Sequence, residues 1–440
     1  MEELFAVSMG IIAGIITGVV PGAGVTVAMV IATPLLFDFT VLQLLLFYMA
    51  LASMVQFTGT IPAVLLGVPG ETNSLPAVIE GTKFTKHGYS QLAVGVSALG
   101  SVLGSIVSVC LTFALISLLI SHVSMFFGNN TKFYLYIFVI IFCIMVYNKN
   151  NILLNIFLCA LGFALSLPGE SDISPDIRYT FGVTDLEYGV PLISVLIGFL
   201  VVPTLYNLYS NTHTTSLFPN RPIKFSKVVV LFVRHFPSSI RGSVIGYLCG
   251  FVPGVSTVLS TNVSYSVEKK LHPYNPGKQL VASETANNSG QFASMLPLLL
   301  IGIPITGSEV VLYSLLIDAG WSPFQFNNTE QNADLIFQQL VPWFVFVNVC
   351  GLCVAWPFAK KIVQLLTVKK NYVIFLLLLG MILLNTYMGI QDYRLGLYTC
   401  CLFVFGCVGL LLRKHEPVPL IFLFILGNDI EGVFIRQMLI

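Results

Sequence analysis

"GIITGVVPGAG", residues 14–24, interrupts a run that otherwise reads as a membrane helix. Pro21 has no N–H to donate, and Gly22 and Gly24 disfavour helix, so the stretch stops a helix with apolar residues on both sides. The signature returns 232 residues later as "GYLCGFVPG", residues 246–254. Gly14, Gly18, Pro21 and Gly22 align with Gly246, Gly250, Pro253 and Gly254. A second pair follows in the same order. "IPAVLLGVPG" (61–70) matches "LPLLLIGIPI" (296–305), which aligns Pro62 and Pro69 with Pro297 and Pro304 at an offset of 235. Two matches in one order and nearly one register read as an internal repeat.

Composition sets the solvent. The 440 residues are 56% hydrophobic and 9% charged, with mean hydropathy +0.88. A soluble domain carries about 25% charged residues, so this chain reads as an integral membrane protein. At about 20 residues per span plus connections, the length allows roughly ten to twelve crossings. Continuous apolar runs exclude the ~10-residue alternation of a membrane β-barrel. The expected fold is an all-α polytopic membrane protein, with roughly 10–12 transmembrane helices in two inverted-topology repeats with broken helices or re-entrant hairpins. The net charge of +1 implies no nucleic-acid partner. "MEELFAVSMG" lacks the basic start of a cleavable signal, so the first apolar segment reads as a retained span. The nine cysteines all lie in apolar stretches and read as small hydrophobes.

Charge orients the segments. Residues 208–241 carry Arg221, Lys224, Lys227, Arg234 and Arg241 without an acid, which places this loop on the cytoplasmic side. Residues 168–187 carry Glu170, Asp172, Asp176, Asp185 and Glu187 against Arg178 alone, and would face outside. The expected organisation is a first membrane repeat over 1–207, broken at 18–26 and 58–74. A basic connecting loop covers 208–241. A second repeat spans 242–440, broken at 250–257 and 284–309.

Paired Gly/Pro breaks in two membrane halves point to the binding site of a secondary transporter. A helix broken at membrane depth frees N–H and C=O groups that lipid cannot satisfy. Half-helix N-termini offer donors to an anion, and unwound carbonyls suit a cation. The residues around the breaks are polar and mostly uncharged: Gln56, Thr58 and Thr60, then Glu71, Thr72, Asn73 and Ser74. The second half supplies Ser283, Glu284, Thr285, Asn287, Asn288, Ser289 and Gln291, then Thr306, Ser308 and Glu309. On this reading a carboxylate sits between two tips, on Gly70, Thr72 and Asn73 from one and Thr306, Gly307 and Ser308 from the other. Thr58, Thr60, Asn287 and Asn288 would hold a coupling cation. Pro21, Gly22, Gly24, Pro69, Pro253, Gly254 and Pro304 form the structural breaks. No HExxH helix or paired catalytic aspartate context occurs, so the chain does not read as an enzyme.

At these motifs the sequence resembles the large membrane subunit of the tripartite tricarboxylate transporters, the TctA family. The likeness runs through "GIITGVVPGAG", "GTIPAVLLGVPGETNSLPAVIEGTKFTKHG" (59–88) and "PDIRYTFGVTDLEYGV" (175–190). It continues in "RGSVIGYLCGFVPGVST" (241–257), "SVEKKLHP" (266–273) and "ASETANNSGQFASMLPLLLIGIP" (282–304), and closes in "FGCVGLLLRKHEPVPLIFLFILGNDIEGVFIRQ" (405–437). The sequence departs from the family pattern at Ser256, Thr285, Ser289 and Ile305. The resemblance implies a multi-pass permease of a bacterial-type inner membrane. It would import a carboxylate such as citrate with a small four-span membrane subunit and a periplasmic solute-binding protein. Import would be driven by Na⁺ or H⁺, with no other cofactor. A non-transporting membrane scaffold or sensor that keeps the same fold is the alternative reading.

Overall fold

A computed structural model describes residues 2–20, 24–68, 70–123, 129–146, 151–170, 177–210, 223–252, 256–321 and 335–438. Among them the chain is helical and contains no strand. In chain order the helices are α1 (Glu2–Val19), α2 (Gly24–Leu36), α3 (Val41–Leu66), α4 (Leu75–Lys86), α5 (Ser90–Val123) and α6 (Asn129–Val146). There follow α7 (Ile152–Ser166), α8 (Leu192–Leu196), α9 (Val202–Ser210), α10 (Phe225–Arg234), α11 (Phe236–Gly250) and α12 (Ser256–Leu271). The last are α13 (Pro276–Ile301), α14 (Gly307–Asp318), α15 (Val341–Gln391), α16 (Leu395–Leu411), α17 (Val418–Ile425) and α18 (Gly427–Met438). Among the described residues, four stretches are individually long and apolar enough to cross a membrane: Glu2–Val19, Val41–Leu66, Ser90–Leu115 and Gln338–Ala359. Shorter apolar helices include Gly24–Leu36, Ile152–Ser166 and Leu395–Leu411. The protein is an all-α polytopic membrane protein.

The chain forms two compact units. One comprises Met1–Met29, Leu36–Ser121 and Thr212–Lys370; the other comprises Val30–Leu35, His122–Asn211 and Asn371–Ile440. Each half of the sequence therefore contributes to both units, a different division from the two consecutive segments that the repeat suggests. Helices pack by face rather than by order in the chain.

In the first unit, α1 lies along α3, and α11 lies along α13. The two pairs use the same device. A methyl group at Gly10 would sit 2.5 Å from the Phe47 carbonyl oxygen, at Gly14 2.9 Å from that of Leu51, and at Gly18 2.9 Å from that of Val55. At Gly242, Gly246 and Gly250 it would meet the carbonyl oxygens of Ala282, Ala286 and Gly290 at 2.3, 2.4 and 2.7 Å. The glycines are offset by 232 and their partners by 235, as the motifs are. Glycine at every fourth position lets two backbones touch without a hydrophobic driving force between helices.

The partner helices α3 and α13 are each 26 residues long. Thr40 opens α3 with a capping box: its N–H donates to Gln43 Oε1 at 2.8 Å and its hydroxyl accepts from the Gln43 N–H. Asn275 caps α13 by accepting from the Lys278 N–H at 3.1 Å, with Pro276 in the first turn. Both helices end on a left-handed glycine, Gly67 at φ 68° and Gly302 at φ 71°. The Pro62 carbonyl accepts from Gly67 and Val68, and the Pro297 carbonyl from Gly302 and Ile303.

These ends narrow two of the expected breaks. Helix α3 continues through Thr58, Thr60 and Pro62, and α13 continues through Glu284–Gln291 and Pro297. The interruptions fall after Leu66 and after Ile301 rather than over 58–74 and 284–309. Each proline is buried or packed inside its helix, and its carbonyl still helps to close the end, so the helix survives it. The breaks around 18–26 and 250–257 fall between α1 and α2 and between α11 and α12. Pro21, Gly22, Pro69, Pro253 and Gly254 lie outside the described residues. Gly24 begins α2 at φ 55°.

In the second unit α7 packs on α17, where a methyl at Gly162 would lie 2.0 Å from the Leu420 carbonyl oxygen. Arg178 makes a two-pronged ion pair with Glu431 on α18. A cleft of about 290 Å³ is lined by Ser166, Pro168, Tyr188 and Asn428, among others.

Candidate functional site

In the first unit the middle stretches of α3 and α13, with the turn that follows α3, meet over a cluster of buried amides. Gln56 projects from α3, and Gln291, 235 residues later, from α13. Gln56 Nε2 donates to Gln291 Oε1 at 3.2 Å. The side-chain Oε1 of Gln56 accepts from Asn287 Nδ2 at 2.6 Å and from Asn73 Nδ2 at 3.1 Å. Asn73 Nδ2 also lies 3.1 Å from Asn287 Oδ1 and 3.1 Å from Glu71 Oε2. The four amide side chains are buried, and Glu71 is partly so, in a chain that is otherwise strongly apolar. An amide group buried without a partner costs about 1–3 kcal/mol, so such a cluster persists only if it closes on itself or serves a ligand. One donor is left over. Gln291 Nε2 is buried and has no hydrogen-bond partner among the described residues.

Two carboxylates flank the cluster. Glu284 Oε2 accepts from the Thr60 hydroxyl at 2.6 Å, linking α13 to α3. Glu71 Oε1 accepts from the Val25 N–H at 2.6 Å, at the start of α2. Anions at helix N-termini are favoured by the free N–H groups and the dipole there. A third buried carboxylate, Glu309, closes the second tip. Its Oε2 accepts from the Ile305 and Thr306 N–H groups at 2.9 and 3.0 Å, and its Oε1 from the Ser294 hydroxyl at 2.7 Å. Among the described residues, none of the three forms an ion pair with Lys, Arg or His. Their hydrogen bonds go to backbone, hydroxyl and amide groups instead.

The sequence-predicted residues separate into groups. Asn73 and Asn287 come together in the amide cluster, and Thr60 stands beside it on Glu284. Asn288 Nδ2 donates weakly, at 3.4 Å, to the Glu284 carbonyl of its own helix. Thr58 lies elsewhere: its hydroxyl donates to the Gly14 and Met54 carbonyls at 2.9 and 2.8 Å and ties α1 to α3. The α1 glycines bring a bare carbonyl within its reach. Gly70 packs rather than lines: a methyl there would sit 3.0 Å from Gly59 Cα and 3.3 Å from the Gly18 carbonyl oxygen. Thr72 lies in the short turn Thr72–Ser74 that leads into α4.

The second tip is arranged differently. The Thr306 N–H, expected to face a solute, is taken by Glu309 in a capping box, and the Thr306 hydroxyl accepts in turn from the Glu309 N–H. Ser308 Oγ lies 3.0 Å from the buried Tyr48 hydroxyl and 3.2 Å from Thr306 Oγ. Gly307 opens α14 beside Thr26 of α2. Sequence reading missed Tyr48 and Ser294 altogether, since each sits inside a helical run with no motif around it. Gln56 and Gln291 carry a signal in retrospect, being the one pair of identical amides at the 235-residue offset within the cluster.

Comparison with known proteins gives a consistent picture. The Tripartite tricarboxylate transporter TctA family matches residues 4–422. An uncharacterised 52.8 kDa protein from the TAR-I ttuC' 3' region of Agrobacterium vitis is 26% identical over 98% of this chain and 86% of its own length. An uncharacterised protein from the TAR-II ttuC' 3' region of the same organism is 28% identical over 44% of this chain and 81% of its own. A protein of Methanocaldococcus jannaschii is 24% identical over 70% of this chain and 71% of its own. No solved structure matches the chain.

Proposed function

Since this chain belongs to the tripartite tricarboxylate transporter TctA family, we propose that it is the permease through which a carboxylate enters the cell, driven by a Na⁺ or H⁺ gradient. Membership makes it one component of a multi-part transporter and a multi-pass membrane protein, in a family of transporters rather than enzymes. The rest is our reading: an inner-membrane location, a small four-span subunit, and a periplasmic solute-binding protein that delivers a di- or tricarboxylate.

The observation that carries the reading is the amide cluster of Gln56, Asn73, Asn287 and Gln291. Amide N–H groups bind a carboxylate without a buried positive charge, and Gln291 Nε2 is a buried donor with no hydrogen-bond partner among the described residues. The solute would lie at this cluster rather than on the Thr306 N–H, which Glu309 occupies. Its carboxylate would compete for the donors that Asn73 and Asn287 now direct at Gln56 and at each other. Thr60 and Glu284 provide oxygen ligands beside the cluster for the coupling ion, with Asn288 on the next position of α13. Alternating access would then move the helices carrying one tip against those carrying the other.

The test is uptake of labelled citrate and other carboxylates into proteoliposomes holding the complete system, with and without an imposed Na⁺ or H⁺ gradient. Gradient-dependent uptake is expected, and Asn287→Ala should reduce it to background while thermal stability stays within a few degrees. Uptake by Asn287→Ala at the wild-type rate would remove the cluster from the solute path. No flux of any carboxylate under either gradient would favour the scaffold or sensor reading.

A further inference from the structure

Among the described helices α10 is the most strongly amphipathic, and nothing in the transport reading uses it. It meets α11 at His235 with a bend of 70°. If α11 crosses the bilayer, α10 turns close to the membrane plane. Its inner face is fixed: Val228 is fully buried and packs with Val96 and Val281, and Leu231, Phe232 and Trp356 surround them. Phe225 packs at a tilt against Trp356 with ring centres 4.8 Å apart. The outer face divides into two stripes. Val229, Val230 and Val233 form an exposed apolar stripe at 37%, 52% and 61% exposure. Lys227 and Arg234, seven residues apart and so on one side of the helix, form an exposed basic stripe next to it. Lys224, also exposed, precedes the helix.

No acid balances these charges. Among the described residues, Lys224, Lys227 and Arg234 have no ion-pair partner. Glu268, the carboxylate nearest this end, is buried and already held by Arg241, Ser238 and His272. The surrounding helix ends add Lys269, Lys270 and Lys278, so the whole end is basic. A crossing helix would carry the charged heads of Lys227 and Arg234 into hydrocarbon, which is strongly unfavourable, whereas an interfacial one places its valines in the acyl region and its bases at the phosphates.

We infer that α10 is an interfacial helix that binds anionic phospholipid headgroups of the cytoplasmic leaflet through Lys224, Lys227 and Arg234, with Val229, Val230 and Val233 inserted below the phosphates. Each base near an anionic surface strengthens lipid binding roughly fivefold. The surface is sited where the positive-inside rule places the basic loop, and its apolar stripe continues into α11 through exposed Phe236.

The purified full-length protein in detergent is titrated with phosphatidylglycerol or phosphatidylcholine, and retained lipid is read by native mass spectrometry. Wild type should retain phosphatidylglycerol in preference, and added glycerol phosphate should not displace it. Lys227→Gln/Arg234→Gln should lower that preference by about tenfold or more. Equal retention of the two lipids by wild type, or an unchanged preference in the double variant, would overturn the proposal. If the double variant does not fold, nitroxides at Val233→Cys and Lys227→Cys are compared in phosphatidylglycerol vesicles, in a chain whose other cysteines are replaced. Val233 should be accessible to oxygen and Lys227 to a water-soluble nickel chelate; access of the chelate to both sites would also overturn it.

Discussion

The two hairpin tips of the first unit begin alike and finish differently. Helices α3 and α13 share their length, their proline five residues before the end cap, and a left-handed glycine that closes them. Beyond that point the same backbone frame carries different chemistry. At the second tip Glu309 turns back and satisfies its own turn, accepting from Ile305 and Thr306. At the first tip the equivalent of Glu309 is Ser74 and the equivalent of Thr306 is Glu71. Ser74 makes the local bonds, accepting from the Glu71 N–H and donating to the Glu71 carbonyl. The Glu71 carboxylate is thereby released to reach Val25 on α2 and Asn73 beside it. Asn73 in turn reaches across to Gln56 and Asn287. One tip is closed on itself, and the other is joined to its neighbours. A repeat can thus conserve a backbone device while only one copy feeds the polar cluster.

The sharpest way to break this comparison is to truncate the residues at equivalent positions, Asn73 and Ser308. Asn73→Ala removes several buried hydrogen bonds, worth together about 2 kcal/mol, and should cut carboxylate uptake by roughly 30-fold. Ser308→Ala removes contacts with Tyr48 and Thr306 that lie outside the cluster, and should cut it less than about threefold. Equal losses in proteoliposome uptake would mean that the tips act alike.

Stability should rank the other way. Glu309→Ala strands the Ile305 and Thr306 N–H groups and the Ser294 hydroxyl, and should cost about 2–3 kcal/mol, read as a fall in the thermal midpoint in detergent. Ser74→Ala leaves Glu71 in place and should cost about 0.5–1 kcal/mol. A larger cost for Ser74→Ala would show that the first tip depends more on its local bonds than on its long ones.

The smallest effect concerns the entries to α1 and α11. Burial, with the Lys278 charge beside it, pushes the His235 imidazole down to about 4. Its counterpart at the 232-residue offset is the exposed Glu3. An unfolded histidine takes up a proton near pH 6.5 but folded His235 only near 4, so stability is lost as pH falls through that window. Glu268 adds a shallower loss at lower pH: burial alone would raise its carboxyl, but Ser238, Arg241 and His272 hold it below its ordinary value. Its contribution is present above the usual carboxylate range and lost as pH falls through the lowered value. The thermal midpoint should therefore decline gently between pH 6.5 and 4, and His235→Gln should flatten that part of the curve. An unchanged curve would assign the decline to other groups.

The reach of the sequence differs by feature. The motif offsets of 232 and 235 were legible in the sequence; that Gly14 packs on Leu51 and Gly246 on Ala286, at the same two offsets, came from the structure. The polar residues around the breaks were legible as a group, because side chains such as Asn287 and Gln56 have no reason to sit in an apolar run without a partner. Their individual partners were not legible. Thr58 reads as well for a cation as Thr60 does, yet a bare Gly14 carbonyl takes the first and Glu284 the second. Helix ends were misjudged for a related reason. Hydropathy falls across "SETANNSGQ" and suggests an interruption, but those side chains are paired inside the protein, and α13 runs straight through them.

By itself the sequence determined the solvent, the helical class and the family, because composition and motif spacing act along the chain and need no partner to be read. Only the tertiary structure decided which tip caps itself, which amides meet, and which threonine belongs to which neighbour. A buried donor takes a nearby acceptor in space, and that acceptor can lie 231 residues away, as Gln56 and Asn287 show.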